Sequence, residues 1–246
     1  MKRHLFSLAA AKPVLCALAV VVLPAAAYAD DTSILSSKIL SDISRNMEMS
    51  RKANAAEKPP AGEAQAPGGQ QASPMAAADS LDTGQDFATT KGIDQLVASY
   101  PPKDQPQMAE TYKKIILSFN GTVANTYGIP KNNLATALTT VLAGSYAAYT
   151  SQPFPEDKVK PLYQQLEQRM RSEPKIYEAS MSDKATLYQV CIGLGMVMLA
   201  GQAEFAKNPN PEQQAQLQKA GGDALRALLR VEPERVRFTA NGLEIL

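Results

Sequence analysis

The chain has 246 residues, with 25 basic and 24 acidic side chains, one histidine, two cysteines and no tryptophan. This near-neutral balance lacks the basic excess that a nucleic-acid-binding surface needs. His4 and Cys16 both lie within the N-terminal thirty residues, so the fate of that segment decides which chemistries remain available.

That segment reads MKRHLFSLAAAKPVLCALAVVVLPAAAYAD. A basic start (Lys2, Arg3), an apolar run from Val14 to Leu23 and the small residues Ala27 and Ala29 around Tyr28 form a secretory signal peptide, cleaved after Ala29. The apolar run is about half of the ~20 residues that a membrane-spanning helix requires, so no stable membrane insertion is expected after cleavage. Cys16 follows the bulky Leu15, which argues against a lipoprotein acceptor. Cleavage would deliver a periplasmic or secreted protein with 22 basic and 24 acidic residues, no histidine and the single cysteine Cys191.

Residues 30–55 contain a short amphipathic helix, with Ile34, Leu35, Ile39, Leu40, Ile43 and Met47 on one stripe. Residues 56–90 are rich in Ala, Pro, Gly and Gln and offer too little apolar surface to offset the entropy of ordering, so they read as a disordered linker. Asp82-Thr83-Gly84 within it matches the short aspartic-protease signature. Such enzymes need two of these aspartates on rigid loops, and a single copy in a flexible tract reads as coincidence.

Residues 91–246 form one domain. Ile93, Leu96, Val97 and Tyr100 mark a short helix stopped by Pro101-Pro102. Met108, Tyr112, Ile115, Ile116, Phe119, Val123 and Tyr127 recur at helical spacing from about Asp104 to Tyr127. Glu110 and Lys114 are spaced for an i,i+4 pair, and Asn120-Gly121 marks a point where the helix could kink. Gly128 is placed to end it, Pro130 to prevent continuation, and Asn132 to cap a helix running to Ser151. In that helix Ala135, Ala137, Gly144, Ala147 and Ala148 leave room for a close neighbour. After the Pro153-Phe154-Pro155 loop, Glu156 and Asp157 start a helix carrying Val159, Leu162, Tyr163, Leu166 and Met170. Ser182 caps the most apolar stretch, Ala185 to Gly201, which is expected to be the central helix. The Gly193-x-Gly195 pair there fits close helix packing and lacks the preceding strand and third glycine of a nucleotide loop. Asn210 and Pro211 open the last helix, interrupted at Gly221-Gly222. Val236, Phe238, Leu243 and Ile245 alternate around Asn241-Gly242 as a β-hairpin. The expected fold is all-α, a compact bundle of about five to six helices with a short C-terminal hairpin, preceded by the short helix and linker.

The mature chain has no histidine, so Ser-His-Asp and Cys-His catalysis and Cys/His zinc sites are unavailable to it. Cys191 lies in an apolar stretch, where a thiol is inert. Calcium-loop patterns are absent, and no cofactor or metal is expected. The acids sit at helix starts and on polar faces, so the expectation is a protein that is not an enzyme. A carboxylate-dependent hydrolase of cell-wall material stays open, since two acids distant in sequence can meet across a cleft. Tyrosine is the unusual feature. Tyr146 and Tyr149 lie one turn apart, followed by Phe154 in its proline-flanked loop, and could line an aromatic groove for a small ligand or peptide. Alternatively, they pack their ring bodies into the core with the hydroxyls at its rim.

The stretch YGIPKNNLATALTTVLAGSYAAYT resembles a family of uncharacterised secreted bacterial proteins, classed as a domain of unknown function. The matching residues are Gly128, Ile129, Pro130 and Asn132, then Gly144, Tyr146, Ala148 and Tyr149. The Asn208-Pro209 stretch and the Arg237–Leu243 segment are similar too, so the resemblance covers roughly residues 96–243. Aspartate is common in that family at the position of Asn133. The resemblance implies a helical domain of the bacterial envelope and carries no activity with it. The functional expectation is a non-enzymatic helical module that binds an envelope protein or peptide, with residues 32–51 on a tether.

Overall fold

The computed structural model describes residues 80–246. The signal peptide, the amphipathic segment of residues 30–55 and the linker up to residue 79 lie outside the described residues. Seven α-helices are present among them: α1 Lys91–Val97, α2 Gln105–Tyr127, α3 Leu134–Thr150, α4 Val159–Arg171, α5 Pro174–Glu178, α6 Met181–Lys207 and α7 Pro211–Leu229. A two-stranded antiparallel sheet follows, β1 Val236–Thr239 and β2 Gly242–Ile245, with Phe238 opposite Leu243 and Thr239 opposite Gly242. The fold is therefore helical with a terminal hairpin, as the periodicity predicts; the one helix it misses is the short α5.

The centre of the bundle is α3 rather than α6, although α6 carries the expected apolar stretch, Ala185 to Gly201. Helix α3 packs against α6, α7 and α4, and is buried along nearly its whole length. Its composition explains how. Ala, Gly and Thr have short side chains, and its buried hydroxyls bond to main chain: Thr139 Oγ1 to the Ala135 carbonyl at 2.7 Å and Thr140 Oγ1 to that of Thr136 at 2.9 Å. A polar group bonded in this way can be buried without an orphaned donor. Helix α6 is long and apolar enough to cross a membrane, but 72% of its apolar window is buried inside the fold. Polar residues of its first three turns, such as Gln189, serve the packing of other elements. The Gln189 carbonyl oxygen accepts from the Gly92 and Ile93 amides and so caps α1 from across the bundle.

Several local expectations are corrected. Asn133, not Asn132, caps α3, its side chain accepting from the Ala135 amide at 2.9 Å and the Thr136 amide at 3.3 Å. Asn132 instead takes a left-handed conformation, φ 50°, one step earlier. Ser180 rather than Ser182 caps α6, through the Asp183 amide. Glu110 pairs with Lys113 at 2.7 Å rather than with Lys114. Helix α2 runs through Asn120-Gly121, and α7 through Gly221-Gly222, without a break. Gly128 ends α2 at φ 64°, as its lack of a Cβ allows. Residues 80–90 also depart from the linker reading. Leu81 is fully buried, and the chain beside it pairs with the α2–α3 corner, Thr83 N–H to the Asn132 carbonyl at 3.0 Å and Leu134 N–H to the Leu81 carbonyl at 2.9 Å. One large apolar residue and a main-chain bridge outweigh a polar local composition. The Asp82 carboxylate accepts the Gly84 amide at 2.9 Å and closes a turn.

Because both bonds to Asn133 close off helix-terminal amides, Asn133→Ala is expected to lower stability by about 1 kcal/mol in urea denaturation. A shift below about 0.3 kcal/mol would remove Asn133 from the cap.

Candidate functional site

Two clusters concentrate chemistry among the described residues. The first lies at the C-terminal end of α3. Tyr146 on α3, Phe154 in the following loop and Phe238 on β1 meet edge to face. The ring centroids lie 6.2 Å apart for Tyr146–Phe154, 4.8 Å for Tyr146–Phe238 and 5.0 Å for Phe154–Phe238. Such geometry places positive ring edges on negative ring faces. All three rings are half-buried, so the cluster reaches the surface. Tyr146 and Phe154 are the residues singled out by sequence. Phe238 was missed as their partner, because nothing local brings the hairpin to α3.

Tyr149 takes no part in this ring cluster. It points to α7, lies against Gly222, and donates its hydroxyl to the Glu234 carboxylate at 2.7 Å. That bond is the main cause that pushes the Tyr149 phenol up and holds the Glu234 carboxyl below the usual carboxylate range. Arg226 lies beside them, bonded to Glu232 at 2.7 Å and Asp223 at 3.1 Å. Tyr149, Gly222, Arg226, Pro233 and Glu234 line a shallow open groove between α7 and the approach to β1. Arg237 joins groove to strand, its guanidinium donating to the Glu234 carbonyl at 3.2 Å and the Val236 carbonyl at 3.0 Å.

The second cluster is the α2–α3 corner. The Tyr188 hydroxyl donates to the Asn120 side-chain oxygen. The Asn120 amide nitrogen donates to Asp86 at 2.7 Å and to the Asn132 side-chain oxygen at 3.0 Å. The Asn132 main-chain amide returns to the Tyr188 hydroxyl at 3.3 Å. Burial is the main cause that pushes the Tyr188 phenol well above its ordinary range. This closed ring satisfies its own polar groups and holds the left-handed Asn132 in place. It reads as a structural lock. No group of three His, Cys, Asp or Glu side chains suited to a metal occurs among the described residues.

Cys191 is buried in α6, and burial pushes its thiol from 9.0 up to about 12. In the unfolded chain the thiol would ionise near pH 9, whereas the fold keeps it protonated. Its contribution to stability is therefore complete below pH 9 and is lost as pH rises toward 12. Tyr127, also pushed to about 12 chiefly by burial, acts in the same direction. In a Cys16→Ser chain, a chromogenic disulfide reagent at pH 8 is expected to label no thiol until denaturant is added. Rapid labelling of the native protein would contradict the burial.

A family model described as a family of unknown function (DUF6683) matches residues 14–246. No curated protein and no solved structure matches the chain.

Proposed function

The chain belongs to that family of unknown function, DUF6683, and on this premise we propose that it is a non-enzymatic helical module that binds a protein or peptide partner in the periplasm or outside the cell. One observation carries the reading: three aromatic rings from three separate elements gather at the surface, beside a groove rimmed by ion-paired side chains. Half-buried aromatics with polar neighbours are the composition typical of protein-binding surfaces. The carrier reading finds less support, because the rings pack on one another and the adjoining groove is open and polar rather than enclosed and apolar. Tyr146, Tyr149 and Phe154 stand in this proposal as contact residues, with Phe238 added.

Selection of binders from a displayed library of short peptides tests the reading. Tyr146→Ala and Phe154→Ala should each weaken the selected peptides by tenfold or more, as interface hot spots do, when the variants are measured well below their melting temperature. Selected peptides that bind both variants unchanged would place the site elsewhere.

A further inference from the structure

The hairpin has two outer edges, and they are treated differently. On β2 the outward main-chain groups of Leu243 are both occupied by one side chain from α4. The Leu243 amide donates to Gln165 Oε1 at 2.8 Å, and Gln165 Nε2 donates to the Leu243 carbonyl at 3.0 Å. A primary amide presents one donor and one acceptor side by side, so Gln165 stands in for a third strand. Helix α4 covers that edge.

The β1 edge is closed at one of its two outward residues, Val236, whose amide donates to the Pro233 carbonyl, and open at the other, Phe238. The register pairs Arg235 with Leu246, joined by the Leu246 amide to the Arg235 carbonyl at 2.8 Å, and pairs alternate from there. Arg237 and Thr239 therefore turn their main-chain groups toward β2, and Val236 and Phe238 turn theirs outward. Val236 is fully buried, and its carbonyl is taken by Arg237. Among the described residues, the Phe238 amide and carbonyl have no hydrogen-bond partner, and α3 meets this strand through the Tyr146 ring, on the face that carries the Phe238 ring. The Phe238 ring belongs to the surface aromatic cluster. Arg237, exposed beside it, has no carboxylate partner among the described residues.

We infer that β1 is a strand-addition edge, and that the partner enters as an extended peptide segment pairing antiparallel with Phe238. This rests on the binding reading above and gives it a mode. Main-chain bonds to Phe238 supply the pairing. A side chain of the added strand opposite Phe238 falls on the same face as its ring, so an apolar residue there meets the aromatic cluster. The residue opposite Arg237 is a carboxylate, since that guanidinium is the charge the edge presents. The peptide therefore carries an apolar–acidic pair in chain order, with a small polar or β-branched residue before it opposite Thr239. A four-residue edge bearing an arginine is also a means of discouraging pairing, and that is the competing explanation of the same features.

The test uses the full chain and the fluorescein-labelled peptide Ile-Thr-Val-Glu-Val-Lys, with fluorescence anisotropy as readout. Methylating the amide nitrogen of the first Val, the one aligned with Phe238, should weaken binding about tenfold through the loss of that pairing. Methylating the amide of the following Glu, which turns away from β1, should change binding less than about threefold. Exchanging that Glu for Lys should weaken binding several-fold at low salt. Equal tolerance of both methylations, with binding still lost in Tyr146→Ala, would overturn strand addition and leave an aromatic-surface binder standing. No binding of this peptide by the native chain, or binding indifferent to both methylation and Tyr146→Ala, would overturn strand addition and the aromatic surface together.

Discussion

Gly144→Ala is expected to destabilise the fold by about 2 kcal/mol, although it installs the best helix-forming residue in the middle of a helix. A Cβ built on Gly144 would lie 2.3 Å from the Gly195 carbonyl oxygen and 2.8 Å from the Gly195 Cα. A Cβ on Gly195 would in turn lie 2.5 Å from the Thr140 carbonyl oxygen. These obstacles are main chain, so no rotamer change relieves them, and α3 must move off α6. Neighbouring Leu138, Leu142 and Ile192 are almost completely buried and lose contact when it does. Overpacking costs roughly 1–3 kcal/mol and sometimes more, offset by about 1 kcal/mol of helix propensity. Gly121→Ala gives the contrasting result. Nothing lies within 4 Å of a Cβ there, so the same exchange on α2 should raise stability by up to about 1 kcal/mol. Urea denaturation of the two variants checks both signs, and equal effects at the two positions would refute the glycine contact.

Asn120→Ala is expected to cost about 3 kcal/mol, more than the size of the side chain suggests. Its carboxamide is the hub of the corner, accepting from Tyr188 and donating to Asp86 and Asn132. Removing it leaves the Tyr188 hydroxyl, on a residue only 3% exposed, without that acceptor, and the half-buried Asn132 side chain without a donor, whereas the exposed Asp86 carboxylate can turn to water. Each orphaned buried polar group costs roughly 1–3 kcal/mol. Tyr188→Phe removes one bond from the same ring and should cost about 1–2 kcal/mol. The two changes combined should fall short of their sum by at least about 0.5 kcal/mol, because they break a shared bond. Strict additivity in a double-mutant cycle would show that the four residues are neighbours without being a network.

The helices could be read from sequence because their apolar periodicity is long and uninterrupted, as Met108 to Val123 and Leu162 to Met170 illustrate. The capping asparagine was harder, since Asn132 and Asn133 are equally suited by chemistry. Tertiary contacts decide between them: Asn120 and Tyr188 claim Asn132, and Asn133 is left for the helix. Leu81 shows the same limit from the other side, a lone apolar residue in a polar tract whose partner lies on a distant corner. At the surface, Tyr146 and Phe154 were legible because one helix end and one loop hold them. The Glu234 partner of Tyr149 lies 85 residues away, and Phe238 arrives on a strand that no local pattern ties to α3. The central position of α3 was hidden by its lack of large side chains, for close approach depends on small residues such as Ala135, Gly144 and Ala148 rather than on bulky apolar ones.

The corner ring also bears on the order in which the chain folds. Its bonds join positions 12, 34, 56 and 68 residues apart. Helices close locally and fast, whereas each of these links needs a loop to shut first. The ring can therefore complete itself only after α2, α3 and α6 have come together. Interactions absent from the folding transition state slow escape from the native state without speeding arrival. The turn-forming stretch Tyr127–Asn133, which locally only redirects the chain, thus acts as a latch on its lifetime.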